Sequence, residues 1–184
     1  MTSTADPVIR LADYCPPAWR ISRVSLDFDL DAQNTQVGTT LLLEPDPDQP
    51  LQPLRLDGED LELIDISLDG RALALHEYRR DTRSLTITGL TGPCELHTTV
   101  RLHPHANTRL EGLYASREAL FTQCEAEGFR RITFFVDRPD VSAVFDVTLR
   151  ADKARYPVLL ANGDLVASGE LPGGRHYARW HDPH

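Results

Sequence analysis

RISRVSLDFDL, residues 20–30, sets Ile21, Val24, Leu26, Phe28 and Leu30 among polar neighbours, the last four at a strict period of two. That period marks a half-buried strand, because successive side chains point to opposite faces. Asp31, Ala32, Gln33 and Asn34 break the alternation, and TQVGTTLLL, residues 35–43, resumes a β-rich composition. The two runs predict a β-hairpin. Three prolines in EPDPDQP, residues 44–50, then end the ladder, since each withholds an amide donor and fixes φ. Strand patterning resumes at once, so this stretch reads as a surface connection inside one domain.

Further short strands are predicted at 54–56, 61–68, 72–76, 84–88 and 95–102, and later at 143–151, 158–161, 165–171 and 176–180. Turn signals separate them, the strongest being Asp69-Gly70, whose two residues both tolerate positive φ. Short strands at this spacing predict an all-β, antiparallel two-sheet sandwich, with at most a short helical turn near 128–135. A chain of 184 residues that is 41% hydrophobic buries one good core, so residues 1–184 are read as a single domain.

The formal net charge of −9 argues against a nucleic-acid or anionic-lipid partner, because phosphate binding needs clustered Lys and Arg. Arg79, Arg80 and Arg83 are few and are diluted by Asp81. No run of 18 apolar residues is present, and MTSTADPVIRLADY has neither a basic start nor an apolar stretch, so no membrane association is read and the cytoplasm is the expected compartment. Cys15, Cys94 and Cys124 form no CxxC pair and indicate neither a zinc ribbon nor a disulfide framework. His103-Pro104-His105 lacks an acidic or thiol partner at a regular offset and reads as a loop, not a metal site.

The densest chemistry lies in FTQCEAEGFRRITFFVDRPD, residues 121–140. If its first half is extended, Gln123, Glu125 and Glu127 share one face while Cys124 and Ala126 take the other. An amide beside carboxylates suits an ammonium group; the plainer reading is the solvated face of an antiparallel strand. Pairing of Arg130 or Arg131 with Asp137 or Asp140 is the expected structural role of the charges that follow. Cys124 makes a poor nucleophile, since the neighbouring Glu125 and Glu127 raise its pKa. The chain carries no His-Glu-x-x-His, G-x-S-x-G, phosphate-cradling loop or dinucleotide fingerprint, so no catalytic residue is assigned.

The segments NTRLEGLY (107–114), TQCEAEGFR (122–130) and DRPD (137–140) closely resemble the amino-terminal domain of the bacterial aminopeptidase N family, zinc exopeptidases of the gluzincin type. Weaker echoes at 28–32, 54–61 and 151–157 extend the resemblance over nearly the whole chain in family order. It implies a β domain of a zinc aminopeptidase that releases amino-terminal residues from peptides. The zinc, its ligands and the general base would lie in a catalytic domain beyond His184. Glu125 would hold the free α-ammonium of the peptide, and Gln123 would line the pocket for the first side chain. The implied partners are the peptide amino terminus and the parent's own catalytic domain. The isolated chain would be inactive, without a cofactor, and weakly self-associating through the apolar face left uncovered. Two rival readings stand beside this one. A stand-alone β-sandwich binding module would show an exposed row among Trp19, Tyr78, Tyr114, Tyr156, Tyr177 and Trp180. A structural adaptor would pack on a catalytic domain without touching substrate.

Overall fold

A computed structural model describes residues 10–183. The opening hairpin is β1 (Trp19–Asp29) and β2 (Thr35–Pro45), paired antiparallel with Val24 opposite Leu41, Leu26 opposite Thr39 and Phe28 opposite Val37. Its turn is closed by Asp31, whose Oδ1 accepts from the Gln33 and Asn34 amides at 2.7 and 3.1 Å while Thr35 Oγ1 donates to the Asp31 carbonyl at 2.6 Å. The three-residue step from Ile21 to Val24, which breaks the period of two, coincides with a register shift between Ile21 and Arg23. A bulge there lets both side chains face the core, where they are 3% and 0% exposed.

Eight strands form the large sheet, in the order β12, β13, β11, β1, β2, β8, β4, β5: β4 is Glu62–Leu68, β5 Arg71–Ala72, β8 Cys94–Leu102, β11 Val144–Asp152, β12 Asp164–Leu171 and β13 Arg175–Asp182. All neighbours run antiparallel except β1 and β11, which pair in parallel, an arrangement that needs the long connection the intervening chain supplies. A second sheet comprises β3 (Leu54–Asp57), β7 (Ser84–Ile87) and β6 (Tyr78–Arg80), and a separate hairpin joins β9 (Gly112–Ser116) to β10 (Ala119–Gln123). Leu54, Leu56, Leu85 and Ile87 of the small sheet join Val24, Val37, Leu41, Leu96 and Val100 of the large one in a single core. The fold is thus all-β with two sheets around one core; its helical content is four 3-10 turns among the described residues, one of them at Phe129–Arg131. None of the described helices is long and apolar enough to cross a membrane.

Three local expectations are corrected. The 72–76 strand is absent past Ala72, because the Glu77 carboxylate accepts from the Ala74 amide at 2.8 Å and from both Arg71 guanidinium NH groups at 2.9 and 2.8 Å, closing a turn. Pairing resumes one turn later as β6. The 158–161 strand is absent as well: Pro157 precedes it and no neighbouring strand pairs with it, so Val158 and Leu160 stand exposed. Finally, the predicted strands 143–151, 165–171 and 176–180 do not pair in the order in which they follow one another, as a meander would: β13 inserts between β11 and β12, which lies at the sheet edge.

Candidate functional site

Strand β10 ends at Gln123, and the chain turns immediately through residues 125–128, closed by the Gly128 amide donating to the Cys124 carbonyl at 2.7 Å. The Glu125–Ala126 peptide bond is cis. Gly128 is required at this crossing, since a Cβ there would sit 2.5 Å from the Gln123 carbonyl oxygen. The expectation that Gln123, Glu125 and Glu127 share a strand face is therefore corrected: the strand ends at Gln123, before either glutamate. The turn brings Gln123 and Glu125 together by another route, with Gln123 Nε2 donating to the Glu125 carbonyl at 3.3 Å.

The two acidic side chains of the turn have different surroundings. Glu127 pairs with Arg130 Nη2 at 3.1 Å. The exposed Glu125 carboxylate has no hydrogen-bond or ion-pair partner among the described residues. Arg130 is mostly buried and binds Asp137 three ways: its amide and Nε donate to Oδ2 at 3.1 and 2.9 Å, and Nη2 donates to the Asp137 carbonyl at 2.9 Å. Arg131 does not follow it. Its guanidinium meets Glu59 at 2.6 Å, Asp60 at 2.5 Å and Glu111 at 3.1 Å, binding the loop after β3 to the start of β9. Asp140 belongs to Arg138 and accepts from the Tyr14 hydroxyl at 2.8 Å. The acidic partners of Arg131 lie 20 to 72 residues away in sequence, and no local spacing announces them.

Cys124 is half-buried beside the turn. Burial first, and the Asp137 charge second, push its thiol up to about 11. The sequence reading has the direction right and the source wrong, since Asp137 and not the adjacent glutamates acts on it. At pH 8 Cys124 should be alkylated more than about tenfold more slowly than a free cysteine, with the rate still climbing above pH 9, because the thiolate is the reacting species. Site-resolved iodoacetamide labelling measures this, and free-cysteine rates at pH 8 would refute it.

His103, Pro104 and His105 open a 3-10 turn (Pro104–Ala106) in which His103 Nδ1 donates to the Gln33 carbonyl at 2.7 Å. Among the described residues no group of three or more His, Cys, Asp or Glu side chains is placed to hold a metal ion, so the donors present do not fit a zinc site. None of the six Trp and Tyr residues that would mark an exposed binding row is exposed; Trp19 and Tyr156 are buried and the others partly so. An apolar groove of about 460 Å³ runs beneath the β9–β10 hairpin, between Leu113, Leu120 and Phe129 on one side and Phe28, Val147 and Leu149 of the large sheet on the other.

The model of the peptidase M1 N-terminal domain matches residues 20–184. Aminopeptidase N of Escherichia coli is 45% identical over 171 residues, which is 93% of this chain and 19% of that protein. Aminopeptidase N of Caulobacter vibrioides is 44% identical over 183 residues, covering 100% of this chain and 21% of that one. The chain thus spans about a fifth of the length of the curated relatives it matches. Among solved structures, Legionella pneumophila aminopeptidase A in complex with aspartic acid superposes with a TM-score of 0.89 at 32% identity, over 95% of this chain and 21% of that one. An M1 zinc metallopeptidase of Deinococcus radiodurans shares the fold, with a TM-score of 0.74 at 15% identity over 89% of this chain and 39% of its own. Family model, sequence relatives and fold converge on one placement: the chain belongs to the peptidase M1 N-terminal domain family.

Proposed function

We propose that this domain is the substrate-anchoring part of a zinc aminopeptidase, with Glu125 holding the free α-ammonium of a peptide and Gln123 lining the pocket for its first side chain. The supporting observation is the turn after β10, where an exposed carboxylate without a partner among the described residues stands beside an amide that already bonds its backbone. An unpaired carboxylate offers an ammonium group a charge-assisted hydrogen bond, roughly twice as strong as a neutral one. The metal and the hydrolytic groups belong to the catalytic domain of the full-length protein, and the isolated domain is inactive in this reading. Kinetics of full-length Glu125→Gln on aminoacyl arylamides test it.

The same reading assigns the apolar groove and the exposed Val158, Leu160, Leu165 and Val166 to the contact with the catalytic domain. Leu160 lines the groove, so the two surfaces are continuous. Apolar patches beyond a few hundred Å² drive association when left open. Sedimentation velocity of the isolated 184-residue chain should therefore show weak, concentration-dependent self-association. A strict monomer at high concentration would remove the argument for this contact face.

A further inference from the structure

We infer that Arg130 is the positioning residue of the ammonium site: one guanidinium grips Glu127 inside the turn and Asp137 outside it, and so fixes where Glu125 stands. This rests on the anchoring role proposed for Glu125. The geometry is specific to Arg130. Its Nη2 meets Glu127 at 3.1 Å and the Asp137 carbonyl at 2.9 Å, while Nε meets the Asp137 carboxylate at 2.9 Å. Asp137 is itself 7% exposed, and its amide donates to Asp57 Oδ2 of β3 at 3.3 Å. The same Asp57 pairs with Phe135 through its backbone: its amide donates to the Phe135 carbonyl at 2.7 Å and its carbonyl accepts from the Phe135 amide at 3.1 Å. The Arg130 carbonyl accepts from the Glu59 amide at 2.9 Å. Arg130 thus ties the turn of four residues to the small sheet through its side chain and its carbonyl, beside the separate Arg131 contacts to Glu59 and Asp60.

The arrangement also separates the two glutamates. Glu127 is held by Arg130 and kept from competing for a cation, whereas Glu125, two residues earlier, is left unpaired among the described residues. A planar guanidinium can hold two oxygen partners in fixed directions at once; an ammonium on a flexible stem cannot. Lysine at position 130 should therefore keep one of the two contacts and lose the other.

The test is a double-mutant cycle in the full-length protein, assayed on aminoacyl arylamides. Arg130→Gln should raise KM about tenfold with kcat within about threefold, and Arg130→Lys should fall between it and the parent. Glu127→Gln, at a position 62% exposed and so tolerant of change, should raise KM about two- to fivefold from the other end of the same ion pair. If Arg130 works through Glu125, each of these effects disappears when Glu125 is already Gln. A merely structural role for Arg130 would lower kcat/KM by the same factor in both backgrounds, and that result overturns the inference. Wild-type KM in all three variants overturns it too. If Glu125→Gln is itself silent, the anchoring reading fails and this inference goes with it; if Glu125→Gln acts and the cycle is additive, only this inference fails. Should Arg130→Gln fail to fold, Arg130→Lys and Glu127→Gln carry the same cycle.

Discussion

Replacing Glu125 by Gln in the full-length protein is expected to raise KM for aminoacyl arylamides and to cut kcat/KM by about 10- to 1000-fold, corresponding to about 1.5 to 4 kcal/mol for a lost charged hydrogen bond. Gln preserves the shape of the side chain and removes only its charge, so the loss reports the ionic contact and not the packing of the turn. The argument for a large effect is asymmetry. In the proposed arrangement the catalytic domain covers this exposed carboxylate, which a free amino terminus satisfies and a blocked one leaves unpaired, and unpairing a charge once buried costs about 3 to 5 kcal/mol. The parent should accordingly discriminate strongly between free and acetylated substrates, and Glu125→Gln should narrow that ratio. Gln123→Ala is expected to alter the ranking of first side chains more than the discrimination against acetylation. Kinetics of Glu125→Gln within twofold of the parent would refute the assignment of the ammonium site.

The hairpin of residues 20–43 was legible because burial on one face of a strand imposes a period of two, and even its defect at Ile21 to Val24 corresponds to a physical feature, the bulge. Where side chains alone were the guide, the reading was weaker. Val158, Leu159, Leu160 and Ala161 have the composition of a strand but no partner, since apolar composition reports what a segment prefers and not whether a neighbouring edge is free. Tyr78–Arg80 and Gly112–Ser116 were not legible because Arg79 and Arg80 give the first little β-rich composition and the second opens on a glycine.

At the site the two kinds of information divided. The alternation argument placed Gln123, Glu125 and Glu127 on one face, and the turn closed by Gly128 shows why it fails. The resemblance singled out Gln123 and Glu125 without Glu127, and of the two glutamates it is Glu127 that pairs with Arg130. That Arg130 or Arg131 would pair with Asp137 or Asp140 was readable because Arg and carboxylate lie near each other in sequence, and the fold selects Arg130 with Asp137 across one 3-10 turn. The Arg131 cluster was not, because its carboxylates come from the β3–β4 loop and the entry to β9, and only the folded chain brings them together.

Phe134→Ala is expected to be the most destabilising single change near the site, at about 3 to 5 kcal/mol, the usual cost of emptying a buried aromatic position. Phe134 is 1% exposed, and its ring lies so close to Gly58 that a Cβ there would fall 2.3 Å from it. The contact is therefore shaped from both sides: a glycine makes room and an aromatic ring fills it. The next residue, Phe135, points elsewhere and packs edge-on against Phe129 at 5.0 Å, so it cannot swing into the void without vacating its own place. At about 2 to 4 °C per kcal/mol for a domain of this size, the unfolding midpoint should fall by roughly 6 to 20 °C. Phe121→Ala is the control. That ring is 49% exposed and touches Tyr114 at a centroid distance of 6.0 Å, so its removal should cost less than about 1.5 kcal/mol. Thermal unfolding of both variants of the 184-residue chain, followed by circular dichroism, decides the matter. Equal losses would mean that the segment from Phe129 to Asp137, which carries the Arg130 anchor, is not held by the core contact described for Phe134.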